Sequence, residues 1–438
     1  MLRKIPAALV IVAIIIAGVG YALHRDSDDR TAGPLSNPAR GALVSTGIKS
    51  PEEQVTFWQA RVDANPTDYM SRASLGSSML ALAKTTGDLE LYEAAEAVFT
   101  EALGQNPKHP GSLLGLGAAR GAQHDFATQL ELAERVYADH PENSSAYVTI
   151  ADARFELGQY DAAAAIYEKV AAQERSAAMV SRLAKAAWYL GERDAAVELS
   201  REAISASSEL ELRADEAAYY WFQLGTYAYR VGDIDAARDA VDRAIEIDPE
   251  NLGALELAPR IRIAQRDIGA AISLYEELVA KSPAADLHGE LAKLYEVTGR
   301  HDEATHQVEL GLSLGREQVG RFPAERRHLA DFFGTYDPAL ALRLAEEDIA
   351  TRQDVGGFDT LAWSLYQNGR FEEARRAAQN AMASGIVDVP ILFHAGMIEA
   401  ELGNRVGARS LLLQALDINP HFDVIDARIA HDTLESLA

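Results

Sequence analysis

The chain repeats itself, and the length of the repeat limits what it can fold into. Asn106 and Pro107 are followed 34 residues later by His140 and Pro141, and Asp248 and Pro249 by Ser282 and Pro283 at the same interval. Small residues keep the same time at Ala163, Ala196, Ala237, Ala271, Ala304, Ala341, Ala374 and Ala408, and so do Gly158, Gly191, Gly232, Gly299, Gly369 and Gly403. The one long step, from Ala196 to Ala237, absorbs a polar insertion at residues 205–214. A unit this short cannot bury a hydrophobic face alone. Successive units must stack on one another, which makes the chain a linear array and not a row of globular domains.

Each unit reads as two helices. In residues 219–249, Trp221, Leu224, Ala228 and Val231 recur at helical spacing, and Ala237, Val241, Ala244 and Ile245 stripe a second segment. Between them Gly232 suits a left-handed cap and Asp233 can cap the next N-terminus. Pro249 then disfavours helix at Asp248 and opens the next unit. Gly225 and Ala237 are small where the two helices of a hairpin must approach closely. No alternation long enough for a strand is present.

The spacing of Trp221, Leu224, Gly225, Ala237, Val241 and Pro249, with Ala228 in an aromatic slot, resembles the tetratricopeptide repeat (TPR) motif. Further copies begin near Tyr69, Pro110, Ser144, Ala177, Leu252, Ala285, Val355 and Val389, and a degenerate one covers residues 321–354. The resemblance implies about ten repeats over residues 51–438, with residues 55–66 and 422–437 as terminal capping helices. Two copies depart from the pattern, with Gln129 at a small position and Pro259 where Gly or Ala belongs. The expected fold class is all-α: a TPR superhelical solenoid of antiparallel helix hairpins, preceded by one N-terminal transmembrane helix.

That last expectation rests on residues 5–23, an uncharged run behind Arg3 and Lys4, with Asp26, Asp28 and Asp29 following. Its length nearly spans a bilayer, and the basic flank would leave Met1 inside the cytoplasmic membrane and the body on its outer, periplasmic side. Cleavage as a signal peptide, with Gly20 and Ala22 as the small residues, is the alternative, and it would give a secreted or periplasmic protein. Residues 24–50 mix Pro, Gly, Ser and charge without periodicity, the chemistry of a flexible linker.

Composition removes several functions. The net charge is −25, and the first fifty residues carry six of the basic groups against three acidic ones, so the acidity lies in the repeats. Such a body repels phosphate backbones, which argues against nucleic acid as a partner. There is no cysteine, hence no thiol nucleophile, thiolate metal site or disulfide. The array leaves no room for a separate catalytic domain. Gly311, Ser313 and Gly315 spell the G-x-S-x-G of a nucleophile elbow, but the string sits at the expected end of a helix, where Gly315 can cap, and no strand precedes it. His301, Asp302, Glu303 and His306 read as a solvated helix start, not a metal site. The expectation is a protein that is not an enzyme and takes no cofactor or metal.

What remains is a binding groove. In TPR stacks the first helix of each hairpin lines the concave side. Carried over by register, the resemblance places Lys185, Trp188, Tyr219, Phe222, Tyr229, Arg260, Lys293, Trp363 and Tyr366 there. Aromatics beside cations suit an extended peptide. The same aromatics also fit as core between neighbouring helices, because a shift of one residue turns them inward. The lysine and asparagine clamp of chaperone-binding TPR proteins is not recognisable. The expected function is a protein-binding scaffold or adaptor on the outer side of the cytoplasmic membrane. An accessory subunit of an envelope enzyme complex is the alternative.

Overall fold

Helix-forming segments of 11 to 18 residues, each closed by a cap or a Gly turn, fill the chain from Pro51 onward. The computed structural model describes residues 50–437 apart from Gly87, Leu89, 209–211 and 321–324. Among the described residues there are 22 α-helices and no strand. The chain divides into two units, Met1–Val170 and Ala171–Ala438.

In unit 1 a leading helix α1 (Pro51–Ala64) precedes three pairs: α2 (Tyr69–Thr86) with α3 (Glu90–Gln105), α4 (Pro110–Ala122) with α5 (Phe126–Asp139), and α6 (Ser144–Glu156) with α7 (Tyr160–Ala171). Ser50 and Glu53 form a capping box at the start of α1. Phe99 is fully buried between α2 and α4. A Cβ on Gly76 would stand 2.8 Å from its ring, so only glycine admits it. The large Gln129 on α5 is accommodated from the other side, because Gly117 and Gly121 of α4 face it.

Unit 2 holds seven pairs. They are α8 (Ala177–Tyr189) with α9 (Arg193–Ser207), α10 (Ala214–Val231) with α11 (Ile234–Ile247), α12 (Leu252–Ala264) with α13 (Ile268–Lys281), and α14 (Ala285–Val297) with α15 (His301–Gln318). After them come α16 (Arg326–Tyr336) with α17 (Pro338–Thr351), α18 (Val355–Gln367) with α19 (Phe371–Met382), and α20 (Val389–Glu401) with α21 (Arg405–Ile418), before a last helix α22 (Asp426–Ser436).

One turn design recurs within the pairs. After α10, Gly232 adopts φ +89°, and Asp233 donates its backbone N–H to the Ala228 carbonyl at 2.9 Å. The Asp233 carboxylate then accepts the Ala236 N–H and starts α11. Gly158, Gly191, Gly299, Gly369 and Gly403 take the same left-handed conformation, but His124 and Arg266 occupy the slot in two pairs at φ 63° and 64°. Close approach follows: a Cβ on Gly225 would lie 2.7 Å from Val241 Cγ2. The Pro259 departure is absorbed, since α12 continues through it.

Two expectations are corrected. Gly315 does not end its helix. α15 runs on to Gln318, because Gly311 and Gly315 make room for the rings of Phe332 and Phe333, and the left-handed glycine comes later, at Gly320. Ser313 is therefore an exposed residue inside a helix. The single-pass localisation is also overturned: no helix among the described residues is long and apolar enough to cross a membrane. The run at 5–23 that carried that expectation lies outside the described residues.

Candidate functional site

The first helices of unit 2 gather charged side chains, with the ring of Trp363 among them, on one face. Glu256 and Arg260 come from α12, Asp286, Glu290 and Lys293 from α14, His328 and Asp331 from α16, Asp359 and Trp363 from α18, and His394 from α20. These helices are far apart in sequence, yet unit 2 turns far enough to bring its early and late pairs together. Lys293 Nζ lies 2.9 Å from Glu290 and 3.3 Å from Asp423, just before α22. Arg230 reaches Asp388, the residue before α20, at 3.6 Å. The Tyr229 hydroxyl is 3.5 Å from the Phe422 carbonyl oxygen. Gly191 abuts Gly385 and Gly232 abuts Ile418, backbone against backbone, where any Cβ would collide.

The face enclosed by these contacts is wet but surrounded. Arg260 and Asp331 are exposed by surface area, yet many protein atoms surround each side chain. Enclosure disfavours charge. It pushes Glu256 up to about 7, with Asp286 adding to the effect and Arg260 opposing it. It pushes Asp331 to about 7 and Asp286 to about 6. Glu325, only 3% exposed, rises to about 8 through burial and the neighbouring Asp286 and Glu256. His328 falls to about 4 through burial and the nearby Arg327, Arg352 and Arg260. Burial works against charge on His394 too, but Asp359, 3.0 Å away, outweighs it and holds the imidazole above its usual value. The face therefore combines reluctant carboxylates with a few fixed cations.

The residues expected from the sequence divide between this face and the core. Arg260, Lys293 and Tyr229 stand on the inner face, and burial lifts the Tyr229 phenol to about 12. Trp363 stacks on Tyr366 at 4.6 Å and on His394 at 4.3 Å, all three half-buried. Tyr219 is half-buried against Tyr220, and Lys185 is half-buried with a partner of its own. Trp188 and Phe222 are core. Trp188 is 0% exposed, stacked on Tyr227 at 5.4 Å with the Arg230 guanidinium over its ring. Phe222 is 9% exposed, and its ring tip packs on Gly253. No partner reaches either side chain in this arrangement.

Sequence reasoning passed over the acidic half of the face. Glu256 lies one turn before Arg260, Asp286 two turns before Lys293, and Asp359 one turn before Trp363, in the same register as the residues selected. The acidic residues carry the same periodic signal as the aromatics and cations. Glu325, Asp388 and Asp423 lie outside the helices and carried no periodic signal. His301 opens α15 and pairs with Glu296 at 2.9 Å, on the exposed surface.

TPR profiles match residues 122–187, residues 218–251, and residues 260–311 with 360–421. No curated protein matches the sequence. Solved structures with similar helix arrays include a thermophilic TPR protein of Thermus thermophilus, at 20% identity and TM-score 0.38, covering 44% of this chain and 98% of that one. Yeast Tom70 is similar at 13% identity and TM-score 0.35, covering 95% of each chain. The Cut9–Hcn1 hetero-tetramer of the APC/C is similar at 12% identity and TM-score 0.35, covering 91% of this chain and 95% of that one. Paired helices at a 34-residue period, left-handed glycine turns and the profile matches agree: the matched stretches of the chain are tetratricopeptide repeats.

Proposed function

We propose that the chain is a non-enzymatic protein-interaction scaffold that receives an extended segment of a partner protein along the inner face of unit 2. The observation that carries this reading is the enclosed charge on that face. Placing Glu256, Arg260, Asp286, Glu325 and Asp331 where protein surrounds them costs stability, and among the described residues no ion pair offsets it for Arg260 or Glu325. Groups held at such a cost suit a ligand that brings its own counter-charges and hydrogen bonds. A polypeptide does so with its backbone and side chains together.

Site-specific photocrosslinking tests the reading. A benzophenone amino acid in place of Arg260 should trap a partner protein in cells, whereas the same group in place of Val406, which is 83% exposed on α21, should not. Trapping from Val406 alone, or from neither position, would overturn it.

A further inference from the structure

Unit 2 meets itself along a seam between its early and late pairs, and turns form that seam where helix faces form the other junctions. Neighbouring pairs share buried apolar clusters: Phe222 and Leu257 join α10 to α12, and Ala362 and Ile398 join α18 to α20. Across the seam, among the described residues, no helix of α8–α14 packs along one of α19–α22. The described clusters at α8–α12 and at α18–α22 keep to their own sides. Instead Gly191 meets Gly385 and Gly232 meets Ile418, backbone to backbone. These are contacts without hydrogen bonds, because the N–H groups of Gly191, Gly232 and Gly385 donate to Trp188, Tyr229 and Met382 within their own turns.

The polar contacts over the seam are loose. Lys293 stands 3.3 Å from Asp423, Arg230 3.6 Å from Asp388, and the Tyr229 hydroxyl 3.5 Å from the Phe422 carbonyl oxygen. A closed charge-assisted hydrogen bond measures roughly 2.7–2.9 Å. Between the neighbouring helices α19 and α20, by contrast, Arg375 reaches Glu399 at 2.9 Å. Three buried polar atoms beside the joining residues close no hydrogen bond: Trp188 Nε1, Ser384 Oγ and Asn419 Nδ2. Buried polar groups are ordinarily satisfied. Parting the seam would give these atoms water and solvate the loose ion pairs, while breaking none of the described apolar clusters. A region held by few buried apolar contacts opens at the lowest cost.

We infer that the seam is a latch, which parts and recloses in the native chain and admits the partner segment sideways to the inner face of unit 2. This rests on the proposed scaffold function and adds its route of entry. A seam that stayed shut would admit only a chain threaded from its end. A latch accepts an internal stretch between two folded domains, so the partner needs no free terminus. The glycines let the two backbones settle flush again on closing. Salt screens the ion pairs that cross the seam, so the parted population grows with ionic strength.

Two readouts on the full chain test this, and the absence of native cysteine makes both site-specific. Spin labels at the exposed Asp235 and Asp417, one on each side of the seam, report its width. A second, longer distance should appear and grow from low salt to molar sodium chloride, and again in the variant Asp388→Asn/Asp423→Asn. In a separate chain carrying Arg260→Cys, a dextran-borne maleimide should react about five-fold or more faster in that variant and in molar salt, whereas N-ethylmaleimide, small enough to diffuse in, should change by less than about two-fold. A single distance unmoved by salt and by the variant would overturn the inference, and so would a dextran rate that stays constant while the distances move. Neither readout uses a partner, so a seam that never parts leaves the scaffold reading to the photocrosslinking from Arg260. Circular dichroism guards against misfolding of the variant; should it unfold, the salt series on the otherwise native chain carries the same comparison.

Discussion

Lys293 Nζ and Asp423 Oδ2 stand 3.3 Å apart although 130 residues separate them in sequence. The pair ties α14 to the segment before α22, and with Arg230–Asp388 and Tyr229–Phe422 it fixes how far unit 2 turns. Burial opposes charge on Asp423, but Lys293 outweighs it and lowers the carboxyl pKa. Asp423→Asn should therefore lower stability by about 1–3 kcal/mol in urea denaturation, because Lys293 loses half its pairing in an enclosed place. The exposed pair Arg201–Glu198 is the control: Glu198→Gln should cost about 0.5 kcal/mol or less. With no native cysteine, spin labels at Asp235 and Asp417 can report the turn directly, and their distance distribution should broaden in Asp423→Asn. An unchanged distribution and stability would show that the backbone contacts of Gly191 and Gly232 alone hold the turn.

Acid should stabilise unit 2 over a defined range. Glu325, Glu256, Asp331 and Asp286 have folded values of about 8, 7, 7 and 6, all above their unfolded ones. The folded chain thus holds more protons, and the stability they contribute is present at low pH and lost as pH climbs through 6 to 8. His394, also raised, acts in the same sense above its unfolded value of 6.5. His328, lowered to about 4, acts oppositely, but only as pH falls below 6.5. Calorimetric midpoints should accordingly rise between pH 8 and pH 6.5. Glu325→Gln should flatten that slope and raise the midpoint at pH 8. A midpoint that falls over the same range would contradict this assignment of protons.

The architecture was legible because it is periodic. Each pair spends its period on the same features, namely a small residue where helices touch, a left-handed turn and a cap, and all three are written in residue type. Tyr69, Pro110, Ser144, Ala177, Leu252, Ala285, Val355 and Val389 each begin a helix. The inner face was legible only in part. Register treated Trp188 and Phe222, which are core, in the same way as Trp363, which is half-buried. That difference depends on the neighbouring pair: Gly253 leaves a socket for Phe222, and Tyr227 with Arg230 covers Trp188. The turn that brings Asp423 to Lys293 is a property of all the intervening pairs together, and no local pattern encodes it.

Arg266 should be replaceable with profit. It holds φ 64° in the slot that glycine fills in most other pairs, and its side chain makes no ion pair among the described residues. A left-handed L-residue is strained by roughly 1 kcal/mol, partly offset because glycine has more freedom in the unfolded chain. Arg266→Gly should raise the midpoint by about 1–3 °C. The converse change, Gly299→Ala at φ +78° with open space around it, should lower the midpoint by a similar amount. A destabilising Arg266→Gly would mean that the arginine stem contributes more by packing than the backbone loses.

The least regular pair, α16 with α17, is tied mainly by the Arg327 guanidinium, with Arg352 standing 3.8 Å from each of the same two carboxylates. Arg327 donates from Nε and Nη2 to Asp348 at 3.1 and 2.8 Å, and from Nη2 and Nη1 to Asp354 at 2.7 and 3.1 Å. Asp354 in turn accepts the Gly357 N–H at 2.7 Å and caps α18, so one side chain links three helices. Glycine makes this possible: a Cβ on Gly356 would lie 2.6 Å from Arg327 Nη1. Lysine keeps the charge but cannot fork to two carboxylates. Arg327→Lys should therefore cost about 2–4 kcal/mol, nearly as much as Arg327→Met, because either change leaves a buried carboxylate underpaired. Gly356→Ala should cause part of the same loss by pushing the guanidinium aside, without touching any charge. In Arg327→Met/Asp354→Asn the penalty should shrink below that of Arg327→Met alone, since the second change removes the orphaned charge. Hydrogen exchange at the N-terminus of α18 is the local readout, and strictly additive losses in the double variant would show that Arg327 and Asp354 act independently.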